Sequence, residues 1–289
     1  MKVLVVGGSG FVGRALISRL LDAGHEVESW DRTRSEEAAG LCCKAVDLLG
    51  HDPLPLPGDL PWEAAFHLAA YSVPGLAWTQ DLVFANLRMT ARVFDHLAAV
   101  APGCRAIFAS SAFVYAPSDH PLKETDPLGS AHPYALSKHL GETWALRHRK
   151  SLKVFIVRPF NQLGPGMAPG LLVPELLDRI RRGENPVRML GRDDIRDFLD
   201  WRDAMDAYLR LLEVDAPSGS IWNLCSGRPT RVSELVRGLL KACGQDRPAL
   251  FANLEVETLV GDPSRLMADT GWRPSHSLED TLQAIARAR

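Results

Sequence analysis

Short apolar runs alternate with helix-length amphipathic stretches through the first half of the chain. Lys2 to Val6 reads as a buried strand, Phe11 to Ala23 as a helix, and Glu26 to Asp31 and Ala64 to Leu68 as further strands. Asn86 to Val100 carries Leu87, Ala91, Phe94 and Ala98 on one helical face, and a strand follows at Arg105 to Ala109. A helix is predicted from near Pro133 to about Arg149. Leu136, Leu140 and Trp144 share one of its faces, which reads as core. Lys153 to Val157 is a further buried strand. This strand and helix order predicts an α/β protein with a doubly wound parallel sheet.

The rhythm breaks in two places. Asp52 to Trp62 holds four prolines, Pro53, Pro55, Pro57 and Pro61, and reads as a surface loop. After Arg158-Pro159, the turns Gly164-Pro165-Gly166 and Pro169-Gly170 open an irregular passage with shorter elements. The expected division is a first domain over 1–163 and a smaller α/β substrate lobe over 164–289, with a segment near 196–224 returning to the first.

With 289 residues, 46% hydrophobic and 24% charged, the chain is long enough for one large core or two unequal ones. A formal net charge of −2 leaves no basic footprint for nucleic acid. The five cysteines form no C-x-x-C pair and are expected to be reduced thiols. The nine histidines show no metal-ligand spacing, so no metal is expected, and His67 reads as a packed core residue. The apolar run after Met1-Lys2 is too short for a signal peptide or membrane span, which places the expected location in the cytoplasm, away from membranes.

The first strand leads into Gly7-Gly8-Ser9-Gly10-Phe11-Val12-Gly13 and then a helix. A bound diphosphate needs close backbone approach and amide N–H groups aimed at it, which is what glycines in such a turn permit. Asp31 ends the next strand 18 residues past Gly13, close to the spacing of a ribose-binding carboxylate. Its charge would repel a 2′-phosphate, so NAD(H) is favoured. Arg32 and Arg34 follow directly and keep NADP(H) open as the alternative.

Tyr134 and Lys138 are four residues apart at the start of a predicted helix and lie on one face. A phenol with an ordinary pKa near ~10 works at neutral pH only when a nearby cation stabilises the phenolate. Lys138 supplies that cation. Ser110-Ser111 directly follows the strand ending at Ala109, at the sheet edge where ligands of this architecture bind. Ser111 is expected to hold a substrate oxygen against Tyr134, a general acid-base arrangement suited to hydride transfer.

These residues resemble the extended short-chain dehydrogenase/reductase family, in its nucleotide-sugar branch. The likeness runs through the glycine loop, Asp47-Leu48, His67-Leu68-Ala69-Ala70, Ser110 to Tyr115, Tyr134 to Lys138 and Arg158-Pro159-Phe160-Asn161. It implies a Rossmann-type domain with Ser111, Tyr134 and Lys138 as catalytic triad. It assigns to the cofactor Gly7, Gly10, Phe11, Val12, Gly13, Asp31, Arg32, Asp47, Leu48, Leu68, Ala69 and Ala70, with Tyr134 and Lys138. Leu163 to Met167, Val173-Pro174 and Ile195 to Asp200 are similar to the substrate side of GDP-4-keto-6-deoxymannose reductases. The resemblance therefore implies substrate contacts at Ser111, Asn161, Val173 and Arg196, with Arg196 at a diphosphate, and a homodimer. Without the family context, Arg196 between Asp193, Asp194 and Asp197 reads as a surface ion-pair cluster.

Sister enzymes narrow the expected chemistry. Dehydratases of the branch carry an Asp-Glu pair where this chain has Ala112 and Phe113. GDP-fucose synthases carry a cysteine at Phe113 and a histidine at Gly166. The expected activity is thus NAD(P)H-dependent 4-keto reduction of a nucleotide-linked 4-keto-6-deoxy sugar, GDP-linked by preference. An NAD-dependent nucleotide-sugar 4-epimerase is the alternative, and a non-catalytic cofactor sensor is disfavoured by the intact triad.

Overall fold

The computed structural model describes residues 1–33, 37–72, 79–129, 132–253 and 256–288; Arg34 lies outside them. The chain runs β1 (Lys2–Val6), α1 (Phe11–Asp22), β2 (Glu26–Asp31), β3 (Leu41–Ala45), β4 (Ala64–His67), α2 (Gln80–Val100), β5 (Arg105–Ala109), α3 (Pro133–Arg147), β6 (Lys153–Pro159) and β7 (Asn161–Leu163). It continues through α4 (Leu172–Arg181), β8 (Val187–Arg192), β9 (Ile195–Asp200), α5 (Trp201–Arg210), β10 (Ser220–Leu224), β11 (Pro229–Arg231), α6 (Val232–Ala242), β12 (Ala249–Asn253), β13 (Thr258–Leu259), α7 (Ser264–Thr270) and α8 (Leu278–Arg287).

Seven parallel strands form the main sheet, in the order β10, β6, β5, β4, β1, β2, β3. The order reverses beside β1, so β1 and β4 flank the switch point where ligands of open α/β sheets bind. In β1, Val3 and Val5 join a core with Leu16, Ile17 and Leu20 of α1 and Tyr208 of α5. Leu4 and Val6 point the other way, into a core with Val93, Phe94 and Leu97 of α2. Helices on both faces explain why the strand is uniformly apolar rather than alternating.

Three local features differ from the sequence expectations. β3 has only Cys43 buried, because it is an edge strand, and so it carries too little apolar pattern to stand out. α2 starts six residues before Asn86, at Gln80. In α3 the buried face is Ala135, Ser137, Lys138, Gly141, Glu142 and Ala145, whereas Leu136 is 40% exposed and Leu140 and Trp144 are half-buried. The face against the sheet must admit Lys138 and Glu142 and let the backbone approach closely. A Cβ at Gly141 would sit 2.6 Å from Phe108 Cζ.

The smaller lobe is built on β11, β9 and β13, with β7 also pairing β9, and on the pair β8 and β12. Its core joins α4, α6 and α8 through Val173, Leu176, Leu235, Leu239, Leu282 and Ile285. β10 leaves this region to become the edge strand of the main sheet, next to β6. Among the described residues, no helix is long and apolar enough to cross a membrane.

Candidate active site

The carboxyl ends of β1, β2, β4 and β5 converge on one edge. After β1, Gly7 has φ +92°, and a Cβ there would lie 2.7 Å from Ala69 N. A Cβ at Gly13 would lie 2.3 Å from Gly7 O, so this glycine lets α1 pack onto the turn. At Gly10 the nearest such atom is Gly7 O at 3.4 Å, which leaves the loop open on its outer side. Gly10 caps α1 without a side chain of its own to take up the first N–H groups, and the first turn has no acidic residue. These unsatisfied donors, the open approach and the favourable end of the helix dipole fit a dinucleotide diphosphate.

The other residues expected at the cofactor lie as follows. Phe11 and Val12 are half-buried at the start of α1. Asp31 accepts hydrogen bonds from Ser9 N at 2.8 Å and from the Ser29 hydroxyl at 2.8 Å, which ties the glycine loop to the end of β2. Exposed Arg32 lies over the Tyr71 ring, 5.8 Å from its centroid. Asp47 is exposed and accepts from Leu49 N, while Leu48 is buried in the core beneath it. Leu68, Ala69 and Ala70 follow β4; the N–H groups of Leu68 and Ala69 donate to Val6 O. Arg14 donates to Ser9 O and, at 3.0 Å, to Gly166 O, clasping the glycine loop to a turn of the smaller lobe.

The structure brings Ser111, Tyr134 and Lys138 together beside this cradle. Ser111 is buried, caps the 3-10 turn Ala112–Val114 and accepts from Phe113 N at 3.2 Å. Tyr134 is placed by the start of α3: Pro133 takes the first helical position and His132 Nδ1 accepts the Tyr134 N–H at 3.1 Å. Burial pushes the Tyr134 phenol up to about 12, with a hydrogen bond from Ser111 acting in the opposite direction. Lys138 donates from Nζ to Ala109 O at 2.7 Å and lies 5.9 Å from the Tyr134 ring centroid. Burial lowers Lys138 to about 8, opposed by the charge of Glu142.

At the start of β7, Asn161 donates from Nδ2 to Asp197 O at 3.0 Å. Arg196 is held by Asp194 Oδ2 at 2.7 Å, Glu257 O at 3.0 Å and Glu257 Oε2 at 3.4 Å, so its guanidinium sits in an ion-pair cluster. Asp197 is not part of that cluster; it is fully buried and accepts from Ser226 and Gly227. Val173 lies in the smaller lobe's core and borders a cavity of about 280 Å³ between the Gly164–Gly170 turn, α4 and the end of α8, which no triad residue lines.

Sequence reasoning missed a polar chain behind Tyr134. Asn86 accepts from Tyr71 N and donates from Nδ2 to Tyr71 O and to Ser137 Oγ, and the Ser137 hydroxyl donates to Tyr134 O at 2.7 Å. The Thr90 hydroxyl donates to Asn86 O, so Thr90 accepts from His67 Nε2–H at 3.1 Å. His67 is buried beside Phe94 and Phe108, and burial together with the Lys138 charge lowers it to about 3. The available signal was Asn86 and Thr90 standing four apart on the otherwise apolar stripe of α2. Glu142, four residues past Lys138, was missed in the same way.

A model of the NAD dependent epimerase/dehydratase family matches residues 3–225. The chain is 31% identical to GDP-6-deoxy-D-mannose reductase of Pseudomonas aeruginosa, over 98% of this chain and 95% of that protein. It is 24% identical to UDP-glucose 4-epimerase of Bacillus subtilis, over 97% of this chain and 94% of that one. Among solved structures, RMD from Pseudomonas aeruginosa complexed with NADPH matches with a TM-score of 0.83 and 27% identity, over 99% of this chain and 97% of that one. With a parallel seven-stranded sheet and a glycine turn at its switch point, the chain belongs to the NAD-dependent epimerase/dehydratase family of extended short-chain dehydrogenases/reductases, and it is an NAD(P)-dependent enzyme.

Proposed function

We propose that this enzyme reduces the 4-keto group of a nucleotide-linked 4-keto-6-deoxy sugar, GDP-linked by preference. The carrying observation is the grouping of Ser111, Tyr134 and Lys138 beside the cofactor cradle. End-to-end likeness to a GDP-6-deoxy-D-mannose reductase supports the substrate class. Ala112 and Phe113 offer no carboxylate or thiol for dehydration or for epimerisation at C3 and C5.

The glycine loop with Asp31, Asp47 and the Leu68 to Ala70 wall would hold NAD(P)H, which supplies the hydride when bound. Ser111 orients the sugar C4 oxygen by a hydrogen bond. Tyr134 keeps its proton through the neutral range and delivers it to that oxygen as negative charge develops. Lys138 stabilises the phenolate left behind and holds the nicotinamide ribose. Solvent then returns a proton to Tyr134. On the substrate side, Asn161, Val173 and Arg196 carry the assignment implied by the resemblance. Arg196 would meet the diphosphate by exchanging its bonds to Asp194 and Glu257.

A 4-epimerase is the second reading, supported by the likeness to UDP-glucose 4-epimerase. Purified enzyme with GDP-4-keto-6-deoxymannose and NADH or NADPH is expected to lose the reduced-cofactor absorbance. Unchanged absorbance with every 4-keto sugar nucleotide tried would defeat the reductase assignment. Tightly retained NAD with conversion of a UDP-hexose would establish the epimerase. Tyr134→Phe is expected to cut kcat by about 10² or more. The same reading makes the enzyme a homodimer through α2 and α3, where Phe84 and Leu136 are exposed.

A further inference from the structure

The end of β5 meets α3 through three consecutive residues. Ala109 O accepts from Lys138 Nζ, the Ser110 hydroxyl donates to Glu142 Oε1, and Ser111 shares a hydrogen bond with Tyr134. Tyr134, Lys138 and Glu142 are spaced by four, so each is one helical turn beyond the last on the same face. Glu142 itself is 3% exposed and accepts both Nε and Nη2 of Arg158, each at 2.8 Å. Arg158 rises from β6, donates to Glu124 O at 3.2 Å and lies 4.8 Å from the Tyr115 ring centroid. Tyr115 in turn donates to Asn223 Oδ1 of β10 at 2.6 Å. One carboxylate therefore joins the catalytic helix, the strand end carrying Ser111 and the neighbouring strand β6.

We propose that Glu142 is a positioning residue of this enzyme: held by Arg158 and Ser110, its carboxylate keeps the Lys138 ammonium and the Tyr134 phenol in register with Ser111. The proposal rests on the roles given above to Tyr134 and Lys138. The electrostatics run the same way. Lys138 is faced by Tyr134 and Glu142 from α3 and by His67 from β4, while Arg158 of β6 pairs with Glu142 and lies over the Tyr115 ring. His67 is neutral at working pH and both tyrosines keep their protons. The Arg158 charge is paired with Glu142. Glu142 is thus the group whose charge opposes the burial cost of the Lys138 ammonium. A buried ion pair contributes little net stability against an apolar replacement, so stability alone is a weak reason for this one.

Glu142→Gln keeps the size and removes the charge. Its Lys138 titration, followed by ¹³Cε NMR of labelled lysine in the ligand-free protein, is expected to move down by about half a unit or more. The alkaline limb of kcat/KM for keto reduction should follow it, with kcat down about tenfold and the sugar-nucleotide KM within about twofold. Glu142→Asp keeps the charge on a shorter stem. It is expected to retain the wild-type titration yet lose kcat, because the carboxylate can no longer reach both Ser110 and Arg158. A folded Glu142→Gln with wild-type titration or wild-type kcat overturns the proposal. If Glu142→Gln does not fold, wild-type kcat in Glu142→Asp overturns it instead. The NMR measurement needs no turnover. A shifted titration in an enzyme inactive on every 4-keto sugar would therefore reject the reductase reading and leave the Glu142 assignment standing.

Discussion

Asp31 and His67 show how far single side chains are committed before a ligand arrives. Asp31 already accepts from Ser9 N and the Ser29 hydroxyl, but each carboxylate oxygen keeps a second lone pair for ribose hydroxyls. Asp31→Asn retains an oxygen for Ser9 N and removes the charge that a 2′-phosphate would meet. The NADPH to NADH ratio of kcat/KM is expected to rise about tenfold, equivalent to ~1.4 kcal/mol. An unchanged ratio would mean that Asp31 does not face the ribose. His67 titrates far below its ordinary 6.5, at about 3, because burial disfavours its charged form. Between those two values the unfolded chain holds a proton that the folded one lacks. The stability present above pH 6.5 is therefore lost progressively as pH falls toward 3. In His67→Gln the Tm is expected to fall less steeply from pH 6.5 to 4 than in the parent; parallel curves would refute the neutral, buried state. The motif residues Gly7, Gly13, Ser111, Tyr134 and Lys138 were legible as candidates because each would have to be one residue type for a chemical or steric reason. Asn86 and Glu142 were not, because a lone polar residue on a helix announces itself only once its partners on other elements are known.

At the level of elements, α3 carries most of the site and departs most from amphipathic expectation. Its apolar residues Leu136, Leu140 and Trp144 turn away from the sheet, and Trp144 donates to Asp95 of α2 at 2.9 Å. The sheet-facing stripe is small and polar because it must hold Lys138 over Phe108 and Glu142 against Ser110 and Arg158. Gly141→Ala tests that closeness. The added methyl would press on Phe108 at 2.6 Å and push α3 off β5. A loss of ~1–3 kcal/mol in stability is expected. A fall in kcat at unchanged cofactor affinity should accompany it, measured by thermal denaturation and steady-state kinetics. Wild-type kcat at a lowered Tm would show that the reaction tolerates movement of α3. The buried strands β1, β4, β5 and β6 were legible because both their faces are covered, whereas β3 was not because an edge strand needs few apolar residues.

For the whole molecule, the two lobes meet through Arg14, which reaches from the glycine loop side to the Gly166 turn, and through an apolar cluster that includes Tyr115, Phe160, Cys225 and Leu259. Phe84 of α2 is 61% exposed and Leu136 of α3 is 40% exposed, so the proposed dimer through these two helices would cover both side chains. Phe84→Glu is expected to convert a dimer into a monomer in light scattering after gel filtration, with the fold retained by circular dichroism. A parent protein that is monomeric at micromolar concentration would exclude that assembly.

By itself, the sequence determined the strand and helix alternation, the glycine turn after β1 and the candidate grouping of Ser111, Tyr134 and Lys138. These are local properties: periodicity, glycine at positions that admit no Cβ, and side chains one helical turn apart. The tertiary structure alone decided that β10 joins β6 at the sheet edge, that Arg196 meets Glu257, and that Glu142 ties α3 to β5 and β6. Each of those depends on residues far apart in the chain being brought within hydrogen-bonding distance, and no local pattern records that pairing.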